Sequence, residues 1–343
     1  MSVSVNTFGQ YLDQPVFCVA LSNENGVKAE FLSYGATWHS YTISDNNNNP
    51  IDVIVAPNTL EGYLTQYDQI PYFFGNIVGR YAGRINCNGV HPFLKSNTLS
   101  NKDGVQLHGG VYGFARQNWI IKHLEKTDTP SVTFAYNSPH LEEGYPGEMT
   151  TTVTYTLHRD NTIEIVYSAT SDRDTLVNLT NHAYFNLGEK TMTTQHLYLD
   201  SEAFLATTSN QIPTGQRMST PQTLYDFMDY PSLESLTTLK GLDHVFLLKE
   251  SPATQPKIKL HSKSSGLEMA VHTDQPAVVI FAPQALHFAG TPKNSAIDYS
   301  FYPAICLETQ LPPDSMNHSH FPEAILRKGD KYSQRTEFKF RLA

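Results

Sequence analysis

Charge is scarce in this sequence. Asp, Glu, Lys and Arg make up 17% of its 343 residues, against about a quarter in an ordinary soluble domain. There is no run of Lys or Arg, and the formal net charge is −9. Such a chain repels a phosphate backbone and lacks the cations whose counterion release drives nucleic-acid binding, so a nucleic-acid partner is not expected. No apolar run reaches the ~18 residues of a membrane-spanning helix, so no membrane partner is expected either. The opening stretch, MSVSVNTFGQYLDQPVFCV, has neither a basic n-region nor an apolar h-region and does not read as a signal peptide. Cysteine is limited to Cys18, Cys87 and Cys306. An odd, widely spaced set does not make a disulfide framework and fits a reducing, cytoplasmic location. The sequons at Asn178 and Asn317 then carry no meaning.

Several catalytic signatures are missing as well. Without a GxSxG elbow or a CxxC pair, serine-hydrolase and thiol-redox chemistry have no signal. The glycines of LHGG (107–110) lack the GxGxxG spacing and the following helix of a phosphate cradle. Helical periodicity is nearly absent, with TLEGYLTQ and LESLTTLKG giving two short helices at most.

What remains is strand. Short alternating runs rich in Val, Ile, Thr, Tyr and Phe recur along the chain, among them SVTFAYNS, MTTTVTYTLHR, TIEIVYSATS, HVFLLK, AVVIFAP, AICLETQL and TEFKFRL. Gly, Pro, Asn and Asp turn signals separate them. SDNNNNP, residues 44–50, lies between two such runs and reads as a hairpin turn. More than twenty strands without alternating helices predict an all-β fold, a large antiparallel sandwich or barrel. No composition break, linker or repeat divides it, so one domain over residues 1–343 is expected.

Four segments stand out chemically. In LVNLTNHAYFNLG, residues 176–188, the alternation of a strand puts Val177, Leu179, Ala183, Phe185 and Leu187 on one face, interrupted only by Asn181. The other carries Asn178, Thr180, His182, Tyr184 and Asn186, a row of donors and acceptors without formal charge. A lone strand histidine is ordinarily a satisfied structural residue; the row beside it favours a ligand-facing role. In AICLETQLPPD, residues 304–314, Glu308 shares a face with Cys306 and Gln310 amid apolar neighbours. A buried carboxyl there either finds donors or rises in pKa, which makes a good general base; pairing to a structural Arg is the alternative. In VQLHGGVYGFARQNW, His108 precedes Gly109 and Gly110, which permit either close approach to a ligand or a bend. In FFGNIVGRYAGRIN, Arg80 and Arg84 stand four apart, and one guanidinium there either clamps neutral hydroxyls or serves a structural ion pair. His318 and His320 of NHSH have the spacing of a metal chelate but no carboxylate or Cys partner at metal-site spacing, so no metal is expected.

Taken together, FFGNIVGRYAGRI, LHGG…GF…W, NHAYFNL, GLDHVF and LETQ…P resemble the galactose mutarotase (aldose 1-epimerase) family, in its order and roughly its spacing, from about Phe31 to the C-terminus. The resemblance implies the family's large antiparallel β-sandwich, a galactose mutarotase-like super-sandwich, with a sugar in an open cleft. It implies an isomerase that interconverts the α and β anomers of free hexoses, galactose and glucose foremost, in galactose breakdown, without cofactor or metal. Glu308 matches the general base and His182 the general acid. Arg84, His108, Tyr184 and Asp243 match sugar-binding positions. Gly83 stands where many members carry Asn, and Val279 where some carry Gln, which touches sugar preference and not the reaction. The expected partner is a monosaccharide, and the chain is expected to be a monomer or homodimer.

The chemistry agrees with the residue types. Opening a hemiacetal needs a base at the C1 hydroxyl and an acid at the ring oxygen O5. An imidazole can give and retake a proton near neutral pH, and a partly buried carboxyl can do the complementary work. Three rival functions make different demands on the same residues. A glycoside hydrolase needs two carboxylates about the bond. A hexose-6-phosphate 1-epimerase of the same superfamily needs a cationic phosphate cluster. A non-catalytic sugar-binding sandwich needs Arg84 and Asp243 but not the Glu308–His182 pair.

Overall fold

The structure is a computed structural model and describes residues 1–88, 94, 99–252 and 254–343. Three antiparallel sheets dominate it. The first has five strands in sequence order, Ser2–Tyr11, Gln14–Ser22, Lys28–Leu32, Thr37–Ser44 and Pro50–Asp52. The second has eight, with Ser131–Ser138, Met149–Leu157, Thr162–Ser171, Tyr332–Leu342 and Leu267–Thr273 at its centre. The third has seven, running Pro213–Ser219, Ser201–Thr207, Leu242–Leu248, Ala277–Ala282, Ile305–Gln310, Tyr184–Phe185 and Ile54–Val55. The expected all-β antiparallel sandwich is therefore what forms. Only two α-helices occur among the described residues, Leu60–Gln69 and Leu236–Leu239, in the two segments with helical periodicity. Thr59 caps the first by accepting from the Gly62 N–H at 3.1 Å. No described helix is long and apolar enough to cross a membrane.

The hairpin at residues 44–50 forms as expected, joining Thr37–Ser44 to Pro50–Asp52. Asp45 closes it by accepting from the Asn47 and Asn49 N–H groups at 2.8 Å each. The sheets meet at Trp38, whose ring contacts Phe31 of the first sheet, Phe338 and Phe340 of the second and Phe185 of the third. These aromatic contacts are edge-on or tilted, the arrangement that ring quadrupoles favour.

The seven-stranded sheet positions the chemistry. Residues directly opposed in antiparallel strands point to the same side. The register aligns Asp243, Phe281, Cys306 and Tyr184 in one row, and Val245, Val279 and Glu308 in the next. The alternate residues, including Phe246, Ile280, Leu307, Ile305 and Phe185, face the main core.

The reading of residues 176–188 as one strand with a wet face is corrected. The stretch is broken into short pieces, the end of Thr175–Leu176, then Thr180–Asn181 and Tyr184–Phe185, each pairing with a different partner, and the polar row is buried. Asn178 is spent on the Ala82 and Leu311 backbone, Thr180 on the Thr309 carbonyl and Asn186 on the Pro303 carbonyl. These groups satisfy chain segments that cross the sheet, as buried polar groups must. His182 and Tyr184 of the row line a cavity.

Candidate active site

A cleft of about 200 Å³ opens on the polar face of the seven-stranded sheet. That is below the roughly 300–1,000 Å³ of sites for drug-sized ligands and suits one small polar molecule. The sheet contributes Asp243, Val245, Val279, Phe281, Tyr184 and Glu308; Tyr72, Phe73, Arg84, His108 and His182 close it from connecting segments. All six residues expected to act or bind thus come together in one cavity.

His182 Nε2 stands 3.4 Å from Glu308 Oε1. Glu308 Oε2 is buried without a hydrogen-bond partner, so this carboxyl is not the half of a structural Arg pair. Burial pushes its pKa well above the usual 4.5; the Asp243 charge adds to this and Arg84 offsets part of it. Burial acts oppositely on the imidazole and brings His182 down to about 4. Behind the ring, His182 Nδ1 meets Cys306 Sγ at 3.5 Å.

His108 is held by Gly83 at two points. Its backbone N–H donates to the Gly83 carbonyl at 2.9 Å, and its Nδ1 accepts from the Gly83 N–H at 3.1 Å. A backbone N–H can only donate, so Nδ1 is bare and the ring proton sits on Nε2, which makes that nitrogen a donor. Gly83 adopts φ +79°, and a Cβ there would lie 2.5 Å from Pro313 Cγ, so glycine is what this turn accommodates. The glycines after His108 make a bend: a Cβ on Gly109 would lie 2.0 Å from the Gly79 carbonyl oxygen. Burial first, then the neighbouring charges of His182 and Arg84, hold His108 well below 6.5.

Ligand atoms of His108, His182 and Glu308 lie within 4.8 Å of one another, the residue types of a metal site. A metal-binding imidazole offers a bare nitrogen and donates its other N–H to an acceptor. The Gly83 bond imposes the reverse on His108, so this set does not fit a metal.

Arg84 approaches Asp243 Oδ2 at 3.5 Å, with both side chains about a quarter exposed. A pair that long leaves donors and acceptors free for hydroxyl groups. Asp243 is raised above 3.8 by burial, with Arg84 opposing. Tyr184 donates to the Tyr72 carbonyl at 2.9 Å.

Arg80 takes the structural alternative. It is buried, and its guanidinium donates to the Ser138, Pro139, Pro146 and Gly147 carbonyls and to the Ser138 and Thr175 hydroxyls at 2.8–3.2 Å. His318 and His320 donate from Nε2 to the Pro213 and Gly215 carbonyls at 3.1 and 3.2 Å, tying their loop to a sheet edge. Sequence reasoning passed over Cys306 and the apolar wall of Phe73, Val245 and Phe281. Cys306 carried a signal, since it shares the Glu308 face of its strand.

Comparison with known proteins agrees with this arrangement. Galactose mutarotase of Bos taurus is 35% identical over 92% of both chains, and that of Homo sapiens 34% identical over the same shares. Aldose 1-epimerase of Escherichia coli K12 is 33% identical over 95% of this chain and 96% of its own. The crystal structure of an aldose epimerase homologue from C. elegans superposes with a TM-score of 0.84 at 27% identity, covering 94% of this chain and 98% of that one. The sequence profile of the family described as Aldose 1-epimerase matches residues 18–339, and the chain belongs to that family.

Proposed function

We propose that the protein is an aldose 1-epimerase that interconverts the α and β anomers of free hexoses, galactose and glucose first among them. The observation that carries this is the His182–Glu308 pair, 3.4 Å apart in a sugar-sized cleft. Relatives named galactose mutarotase and aldose 1-epimerase support it. The 343-residue chain acts as one unit, as a monomer or homodimer. Its three unpaired cysteines suit the cytoplasm.

Burial disfavours the charged form of both members of the pair, so one proton rests between a neutral carboxyl and a neutral imidazole. Moving it to the imidazole gives the carboxylate and imidazolium that the reaction uses, with no change in proton count. Glu308 then takes the proton from the C1 hydroxyl as C1=O1 forms. The C1–O5 bond breaks with its electron pair going to O5, and His182 Nε2 delivers a proton there. Rotation about C1–C2 presents the other carbonyl face, and the same transfers run backwards. Each placed acid or base is worth about 10²–10⁴-fold. His108 Nε2–H is a fixed donor to a ring or hydroxyl oxygen. Arg84 and Asp243 grip hydroxyls through charge-assisted bonds, and Tyr184 supplies a ring wall.

The phosphorylated-substrate reading loses its cation cluster. Arg80 is committed to backbone carbonyls, and Arg84 is the one Lys or Arg among the described lining residues. Polarimetry of freshly dissolved α-D-galactose tests the proposal. Acceleration proportional to protein, with the anomers as sole products, is expected; sugar binding at the buffer rate would establish the non-catalytic reading instead.

A further inference from the structure

Both backbone groups of His182 are tied to one short turn. The Gly75 N–H donates to the His182 carbonyl at 2.9 Å, and the His182 N–H donates to the Asn76 carbonyl at 2.9 Å. The Asn181 amide adds a bond to the Gly75 carbonyl at 2.7 Å. The turn is closed by the Asn76 N–H, which donates to the Phe73 carbonyl at 3.0 Å. These bonds fix the chain at His182 but not its ring. The terminal torsion of an imidazole is broad, so a neighbouring side chain has to set the plane that aims Nε2 at Glu308.

Phe73 opens that turn with φ +54°. A bulky residue in the left-handed region is an outlier. Such backbone persists where its surroundings over-determine it, and it gathers at active sites. Glycine would adopt this conformation without penalty, so the phenyl is kept against the local preference of the chain. The buried ring touches both cleft imidazoles. Its centroid lies 4.7 Å from that of His108 at 67°, and 5.8 Å from that of His182 at 34°. The two imidazoles are themselves 5.3 Å apart, so the three rings form a closed trio. Tyr67 backs the phenyl edge-on at 5.2 Å. Tyr184 meets the His182 ring at 5.3 Å and 35°.

We propose that Phe73 is a positioning residue: its phenyl, wedged against His108 and His182, holds the imidazole plane in which His182 Nε2 faces Glu308 Oε1 at 3.4 Å. Phe73 has no proton to move and acts only through the ring it holds. The segment Tyr72–Asn76 thereby secures the acid at three levels. Gly75 and Asn76 fix its backbone, the Tyr72 carbonyl holds the Tyr184 hydroxyl beside it at 2.9 Å, and Phe73 fixes its ring. This inference rests on the proposed epimerase function and deepens it.

Two substitutions separate holding the ring from holding the fold. Phe73→Gly removes the phenyl and suits the left-handed backbone. Phe73→Ala removes the phenyl but keeps a Cβ in that backbone, so it is expected to melt below Phe73→Gly. Both leave His182 without its wedge, and kcat for galactose is expected to fall about 10- to 100-fold in each, the scale of a small misplacement of a reacting group, with KM little changed. Losses of kcat that follow Tm, or wild-type kcat in Phe73→Gly, would overturn the proposal. A raised KM at unchanged kcat would do so too, since it would make Phe73 a wall for the sugar alone. Crystal structures of the full-length wild type and Phe73→Gly supply a readout without turnover. The His182 ring is expected in one orientation in the wild type, and turned or split between two in the variant. A wild-type ring that already occupies two orientations would overturn the proposal without any variant. Wild-type protein that fails to accelerate mutarotation would sink the epimerase reading, and the two ring orientations would still decide the role of Phe73.

Discussion

Val279 faces Glu308 directly across neighbouring antiparallel strands. The carboxyl therefore has an isopropyl group where a solvated sheet would supply a polar side chain. That pairing and the partnerless Oε2 leave the carboxyl desolvated, the largest cause of its elevated pKa, with the Asp243 charge adding to it. Glu308→Gln keeps shape and volume but cannot take a proton. Its kcat is expected to drop by at least about 10²-fold while α-galactose still binds. Coupled polarimetry and isothermal titration would check both halves; a variant retaining near-wild-type kcat removes Glu308 from its role.

The same pair makes stability depend on pH in two opposite senses. The folded pKa of Glu308 lies above the unfolded 4.5. Between those values the folded state holds a proton that the unfolded state has released, so stability falls as pH rises. Glu308→Gln escapes this, and its Tm advantage over wild type should grow upward from pH 4.5. His182 is at about 4 when folded against 6.5 unfolded. The unfolded state binds more protons in that window, and stability is lost as pH falls through it. His182→Asn should therefore gain on the wild type as pH drops from about 7 to 5. Thermal denaturation of the three proteins across that range decides the matter, and parallel curves would contradict the burial argument.

Much of this geometry was legible in the sequence, because a strand's period of two is local. Alternation in AICLETQL put Cys306, Glu308 and Gln310 on one face, and the register observed agrees. The same logic misjudged residues 176–188, since alternation separates two faces but does not say which is wet. The backbone at Ala82, Leu311, Thr309 and Pro303 takes the hydrogen bonds of Asn178, Thr180 and Asn186 in that row. Arg80 and Arg84 were indistinguishable for a related reason. The carbonyls that claim Arg80 lie 58 to 67 residues further along the chain, and no pattern around the arginine announces them. The Gly83–His108 bond, which sets a tautomer, joins residues 25 apart and was likewise out of reach.

Arg84 serves the site twice, and its removal should show both effects. It opposes Asp243 at 3.5 Å, and its charge restrains the pKa of Glu308. Arg84→Ala is expected to raise KM for galactose about tenfold or more, the scale of one charge-assisted bond. Without that cation the Glu308 pKa climbs further, so any limb of the pH–rate profile governed by Glu308 moves to higher pH. Arg84→Lys should recover the pH profile better than KM, because an ammonium restores charge but not the planar fork. The readout is the pH–rate profile of all three proteins; an unshifted limb in Arg84→Ala would mean that its charge does not reach the base.

Arg80 should behave in the reverse way. Its guanidinium makes six hydrogen bonds to the turns at residues 138–139 and 146–147 and to Thr175. A lysine ammonium has three protons on one atom and can satisfy at most half of those acceptors. Each buried acceptor left without a partner costs about 1–3 kcal/mol, so Arg80→Lys should lose several kcal/mol of stability in urea or thermal unfolding. Because no Arg80 atom lines the cleft, kcat/KM measured well below the variant's Tm should match the wild type. A fall in kcat/KM without a fall in Tm would instead put Arg80 in contact with the substrate, and the division of labour between the two arginines would have to be redrawn.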